Sequence, residues 1–205
     1  MFLLIGKKNS FFMSKNILII HGHPVNDSFM DQLQQTYIDA ARANGANIRQ
    51  LVLRELQYEI NFREGYRGNQ TLEPDLLAAQ EAISWADHLV FFYPNWWGTY
   101  PALLKGFIDR TFLPGFAFRY KTGRTDPDRL LKGKTARLVV TMDSPKWYYY
   151  LVQFAPGHHA MRKGLLHFVG IKPVKITTLG LLRKADEKQR ASWLKLMTKM
   201  GSQLC

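Results

Sequence analysis

Three short stretches of this chain concentrate side chains able to do chemistry. The first, Gly22 to Ser28, offers His23, Asn26 and Ser28 just ahead of Phe29, where a helix is expected to start. Backbone N–H groups at a helix start, aided by the helix dipole, hold a phosphate well. His23 can add a charge-assisted hydrogen bond. Plain turn chemistry, with Asp27 or Ser28 as a cap, accounts for the same residues. The second stretch sets Asn95, Trp96, Trp97, Gly98 and Tyr100 between Pro94 and Pro101. If exposed, such aromatics wall in a flat ring, and N–H groups near Gly98 reach its polar edge. If buried, the tryptophans pack under the next helix. The third stretch carries Thr141, Met142, Asp143, Ser144, Trp147, Tyr148, Tyr149, Tyr150, His158 and His159. Phenol and imidazole groups donate hydrogen bonds to a developing anion or move protons. The same mixture of aromatic and basic groups suits a membrane surface or a partner subunit.

Other chemistries are absent. The pairs His21/His23 and His158/His159 have no cysteine or acidic cluster beside them, so no metal site is expected. Gly133-Lys134-Thr135 resembles the end of a phosphate-binding P-loop. However, Asp128 stands where that motif begins with glycine, and a strand follows instead of a helix. Neither a G-x-G-x-x-G run after the first strand nor a G-x-S-x-G nucleophile turn is present.

The elements that hold these stretches alternate strand and helix. Asn16–Ile20 is an aliphatic run suited to a strand buried on both faces. A helix is predicted to Ala43, stopped by Asn44-Gly45, followed by a strand over Asn47–Leu53. Pro74 opens a helix to Ala86. His88–Tyr93 is the third strand, Ala102–Thr111 a helix, Arg137–Thr141 the fourth strand. An aromatic loop and a helix lead to His167. Ile171–Leu179 is the fifth strand and Ala185–Met200 an amphipathic helix. The pattern predicts an α/β three-layer sandwich with a five-stranded parallel sheet in the order 2-1-3-4-5. Ligands of such sheets bind beyond the carboxyl ends of the strands, at the switch point between strands one and three. The three stretches converge there.

Bulk properties narrow the class. The chain has 205 residues, enough for one domain with a sizeable core. No apolar run approaches the roughly 20 residues of a spanning helix. The single cysteine, Cys205, excludes an internal disulfide framework and suits a reducing cytoplasm. Residues 1–12 read as an N-terminal extension, since the apolar stretch is short and its lysines follow it; Met13 opens the domain, 13–205. The formal charge is +12, and residues 119–205 carry 18 basic against 5 acidic side chains. That excess fits either a solubilising surface or the attraction of an anionic ligand such as a dinucleotide. No nucleic-acid-binding signature accompanies it.

Several of these residues carry a resemblance. Ile17–Ile20 with Gly22-His23 and Ser28-Phe29 resembles the opening of the flavodoxin-like NAD(P)H:quinone oxidoreductases. Phe92-Tyr93-Pro94-Asn95-Trp96-Trp97-Gly98, then Pro101-Ala102-Leu103-Leu104-Lys105-Gly106, is its most specific part. Asp109-Arg110-Thr111-Phe112, Gly115-Phe116-Ala117-Phe118, Leu131-Lys132-Gly133-Lys134 and Leu166-His167-Phe168-Val169-Gly170 continue it. The similarity spans roughly residues 15–200.

The resemblance implies a flavin reductase, usually a homodimer. Hydride passes from NAD(P)H through flavin N5 to a quinone or similar flat acceptor, by turns in one pocket. It implies FAD ahead of FMN, and the basic half favours NADPH over NADH. His23, Ser28 and Phe29 would meet the flavin phosphate and its chain. Pro94, Asn95, Trp96, Trp97 and Gly98 would line one ring edge, and Thr141, Met142, Asp143 and Ser144 the other. Tyr148 and His158 would stabilise negative charge on the reduced ring. The family often carries Thr-Thr-Gly-Gly after the fourth strand, where this chain has Thr141-Met142-Asp143-Ser144. Asp143 is expected to point away from the ring or to serve as a cap. A flavin-binding regulatory subunit of a membrane transporter is the alternative. A one-electron carrier is a third reading, which the positive charge opposes.

Overall fold

The computed structural model describes residues 14–204 except 69; the N-terminal extension, Met13 and Cys205 lie outside the described residues. The chain runs β1 (Asn16–His21), α1 (Phe29–Ala43), β2 (Asn47–Val52), α2 (Pro74–Trp85), β3 (His88–Pro94) and α3 (Ala102–Thr111). An excursion follows, pinned by two two-residue strands, β4 (Phe118–Arg119) and β5 (Asp128–Arg129), paired antiparallel. Then come β6 (Thr135–Thr141), α4 (Lys146–Leu151) and α5 (Pro156–His159), which continues as a π-helical segment (Ala160–His167). β7 (Val174–Leu179) and α6 (Glu187–Ser202) close the chain. The sheet order is β2-β1-β3-β6-β7, all parallel, which is the expected 2-1-3-4-5 once the small excursion pair is set aside.

Aliphatic continuity explains the central strands. Successive side chains of β1 point to opposite faces, and both faces are covered. Leu18 and Ile20 join Leu89, Phe91 and Leu138 beneath α2 and α3. Ile17 and Ile19 join Val90, Phe92 and Val139 beneath α1 and α6. Each such fully buried side chain stabilises the fold by about 1.5–3 kcal/mol. The two cores hold the carboxyl ends of β1, β3 and β6 side by side.

Three expectations shift. The fifth strand starts at Val174 because Pro173 has no N–H for the ladder. The Ile171 N–H instead closes the preceding helix on the Leu166 carbonyl at 2.8 Å. The last helix starts at Glu187, since the Asp186 carboxylate caps it by accepting the Gln189 N–H at 2.7 Å. The aromatic loop after β6 is largely helical, in α4 and α5. No helix among the described residues is long and apolar enough to cross a membrane.

Candidate functional site

Beyond β1 the chain turns tightly. The Gly22 N–H donates to the Phe92 carbonyl at 2.8 Å, and His23 Nδ1 accepts the Val25 N–H at 3.1 Å. Ser28 is the N-cap of α1, and its N–H donates to the Asp31 carboxylate at 2.8 Å. The Ser28 hydroxyl donates to the same oxygen. Asp31 also accepts Arg54 Nη2 at 2.9 Å and lies 3.3 Å from His21 Nε2. Arg54 reaches the His23 carbonyl as well, at 3.3 Å, so one guanidinium ties the turn to the helix start. Burial pushes the Asp31 carboxyl up, but the bonds from Ser28 and Arg54 outweigh it and hold it below the usual carboxylate range. Burial also lowers His23, more than the Val25 carbonyl and Asp31 raise it, so its ring is neutral at pH 7. Burial takes His21 down to about 4.

Beyond β3, Trp96 and Thr99 exchange backbone hydrogen bonds at 2.8 and 3.0 Å. Trp97 (φ 52) and Gly98 (φ 79) form the left-handed tip between them. Glycine takes that conformation freely, whereas tryptophan pays about 1–2 kcal/mol. Trp97 stands fully exposed at this tip, at 101%, with Trp96 at 44%. The tryptophans therefore do not pack under α3. Trp96 meets the His23 ring edge-on at 6.1 Å, joining the first two stretches. Behind them Tyr93 is buried, and its hydroxyl has no hydrogen-bond partner among the described residues. Burial, then the neighbouring Tyr149, Tyr100 and Tyr150, pushes that phenol well above its ordinary value.

Beyond β6, the Thr141 carbonyl accepts the Asn95 N–H at 2.7 Å. Met142 is buried, and its N–H and carbonyl bond to Leu179 and Leu182. Asp143 turns to Arg183, accepting its N–H at 3.0 Å and pairing with its guanidinium at 3.1 Å. Tyr149 is buried: its hydroxyl donates to the Gly98 carbonyl at 3.0 Å and accepts the Gly157 N–H at 3.1 Å. A Cβ on Gly157 would stand 2.8 Å from Thr99 Cα and 2.9 Å from the Gly98 oxygen. This close approach stitches the third stretch to the second. His158 Nε2 and the Tyr150 hydroxyl both meet the Thr178 hydroxyl, at 2.8 and 2.9 Å. Burial, then Arg162 and His159, lowers His158 to about 4.

A family profile described as flavodoxin-like fold matches residues 15–198. The chain belongs to the flavodoxin-like family. It is 31% identical over 191 residues to a Haemophilus influenzae protein named as an uncharacterized NAD(P)H oxidoreductase, covering 88% of this chain and 91% of the relative. It is 27% identical over 187 residues to the Homo sapiens ribosyldihydronicotinamide dehydrogenase [quinone], covering 77% of this chain and 78% of that one. A solved structure of an NAD(P)H:quinone oxidoreductase from Methanothermobacter marburgensis shares the fold. Its TM-score is 0.79 at 24% identity, covering 94% of this chain and 100% of that one.

In this flavodoxin-like chain His23, Ser28, Asn95, Trp96, Trp97, Gly98 and Thr141 come together around the carboxyl ends of β1, β3 and β6. Phe29 turns toward α6 instead, 6.0 Å from the Trp193 ring and under the Arg190 guanidinium at 4.8 Å. Tyr148 is 38% exposed and stacks edge-on against Trp147, while the rings against His158 are Tyr149 and Tyr150. Asp31, Arg54, Gly157 and Thr178 were not among the expected residues, and Tyr149 was expected only as one of the phenols of the third stretch. Only Asp31 had a sequence signal, as the acidic end of a Ser-x-x-Asp capping box. No group of three or more metal-ligating side chains occurs among the described residues.

The residues present fit a flavin. Trp97 stands clear of the rim, Trp96 leans on His23, and the N-terminus of α1 lies beside them. A separate apolar hollow of about 670 Å³ lies off the crevice, between α3 and the π-helical segment, where Phe112, Phe118, Leu165 and Phe168 line it.

Proposed function

We propose that this chain is a flavin-dependent NAD(P)H:quinone oxidoreductase, with residues 13–205 as the flavin-binding unit. The observation that carries the reading is the exposed Trp96–Trp97 tip beside the α1 N-terminus, at the switch point of the sheet. The names of the Haemophilus and Homo sapiens relatives support it. They lend nothing to the transporter-subunit alternative.

When bound, the flavin would supply two-electron hydride transfer from NAD(P)H to a quinone or similar flat acceptor. Ser28 and the first turn of α1 would hold its phosphate, with Asp31 and Arg54 fixing that turn. Because Asp31 already neutralises Arg54, the backbone and the dipole are left to meet the anion. His23 offers its Nε2; a phosphate there would raise the imidazole and draw a proton onto it. Pro94 to Gly98 would line one ring edge, with Trp97 excluding water from the face. Thr141 to Ser144 border the other edge, where Asp143, held by Arg183, adds little negative charge. Tyr148 has the accessible hydroxyl for stabilising negative charge on the ring. His158, neutral and anchored by Thr178, would hold its proton on a fixed nitrogen.

FAD is proposed ahead of FMN, as the resemblance to the quinone oxidoreductases implies. A cytoplasmic homodimer is part of the proposal, with the hollow between α3 and the π-helical segment as the surface for the second copy. Purified protein reconstituted with FAD or FMN should turn over menadione with NADH or NADPH. Failure to retain either flavin would overturn the reading.

A further inference from the structure

Much of the cationic excess of the C-terminal half lies away from the crevice. Arg162, Lys163, His167 and Lys172 line an open groove of about 690 Å³ floored by Pro173 and Val174. This is the amino end of β7, about 20 Å of strand from the carboxyl ends where the crevice opens. Burial first, then the positive fields of Arg162, Lys172, Arg129 and Lys163, lowers the His167 imidazole. Those four cations form no ion pair among the described residues. The acids nearest in sequence are engaged elsewhere. Asp126 and Asp128 pair with Arg124 and Lys121, Asp143 pairs with Arg183, and Asp186 caps α6. An uncompensated groove of this kind attracts anions.

An apolar ridge stands toward the carboxyl end of the same edge strand. Trp147, Leu151, Val152 and Phe154, on α4 and the turn after it, are each more than half exposed. Arg162 joins the two features: besides the groove, it lines a neighbouring hollow of about 460 Å³ with Phe154 and Tyr150. Cations alone would suit any polyanion, and apolar groups alone any hydrophobic partner. Aromatic and aliphatic groups that meet unpaired cations at Arg162 match a bilayer interface carrying negative headgroups.

We propose that this face docks on an anionic lipid bilayer, with the ridge entering the headgroup layer and the groove holding lipid phosphates. The inference stands independently of the reductase reading.

Flotation of the full chain with vesicles tests it, comparing phosphatidylcholine alone with phosphatidylcholine containing about 30% phosphatidylglycerol. The protein should float with the anionic vesicles and be released at about 0.5 M salt, where screening shortens the reach of the charges. Each cation removed in R162Q/K163Q/K172Q should weaken binding roughly fivefold, about a hundredfold together. L151S/F154S should weaken it at least about tenfold through lost apolar burial. All five positions are outside the cores, so circular dichroism should stay that of the parent. Three results would each overturn the proposal: equal flotation with neutral vesicles, no flotation at low salt, or a stable dimer that L151S/F154S dissociates in the absence of lipid. The last would show that a second copy covers the ridge.

Discussion

Trp97 carries the site's most direct claim at the scale of a single residue. Its positive φ costs stability, yet its indole touches solvent on all sides. Strain kept at an exposed position is characteristic of functional loops. Trp97→Ala should leave unfolding within about 0.5 kcal/mol of the parent. It should weaken flavin binding roughly threefold to tenfold, as expected for one lost ring contact. Urea unfolding and a fluorescence titration with flavin read the two effects separately. A large loss of stability with unchanged flavin affinity would make Trp97 a packing residue. His158 is the second case. His158→Gln keeps a side chain able to meet Thr178 but removes the imidazole, so kcat should fall while flavin stays bound. Unchanged kinetics would remove His158 from the mechanism. The run Tyr148-Tyr149-Tyr150 shows why roles here were hard to read from sequence. Helical rotation of about 100° per residue sends the three rings to three surroundings. Only the start of α4 decides that Tyr149 faces inward.

Among the elements, the junction of the second and third stretches sets the geometry of the rim. Gly157 donates to both the Gly98 carbonyl and the Tyr149 hydroxyl. Gly157→Ala would press its methyl against the backbone of Thr99 and Gly98, atoms that cannot swing aside. A destabilisation of about 1–3 kcal/mol is expected, together with weaker flavin binding as the Trp97 tip moves. Denaturant midpoints and a flavin titration on the same variant would check both. Unaltered flavin affinity would show that the tip does not depend on this stitch. The strands and long helices were legible because aliphatic runs, Pro74, Asn44-Gly45 and Ser28 mark their limits locally. The stretch from 142 to 159 was not, because its helices are short and its aromatics lack periodicity. Their fold is set by distant partners, Gly98 and Thr178. Arg110 is similar: buried, it binds the Glu59 and Thr71 carbonyls and the Glu73 carboxylate. Nothing in its neighbourhood along the chain announces that bracing role.

For the molecule as a whole, buried neutral histidines govern the response to acid. Burial is the leading cause that takes His21 and His158 to about 4 and His88 to about 3. In the unfolded chain these imidazoles take up protons near 6.5, while the folded chain refuses them until much lower pH. Their contribution to stability is whole above that value and is lost as pH falls toward 4. The Tm should therefore drop between about pH 7 and pH 4.5, and His88→Gln should flatten part of the decline. A Tm unchanged across that range would contradict the burial of these rings. The sheet order and the position of the crevice were legible in the alternation of strands and helices. The address of the positive charge was not. Residues 119–205 hold the excess, but only the fold assigns Lys146, Arg183 and Lys184 to the carboxyl side of the sheet and the Arg162–Lys172 groove to the opposite end.

The central claim is that the open rim beyond β1, β3 and β6 holds a flavin reduced by a nicotinamide. The visible absorption spectrum of the reconstituted protein, followed anaerobically, tests it most directly. NADH or NADPH should bleach the bound flavin's band without a long-lived radical signal, and menadione should restore it. A chain that retains no flavin, or a bound flavin that neither nicotinamide bleaches, would contradict the account.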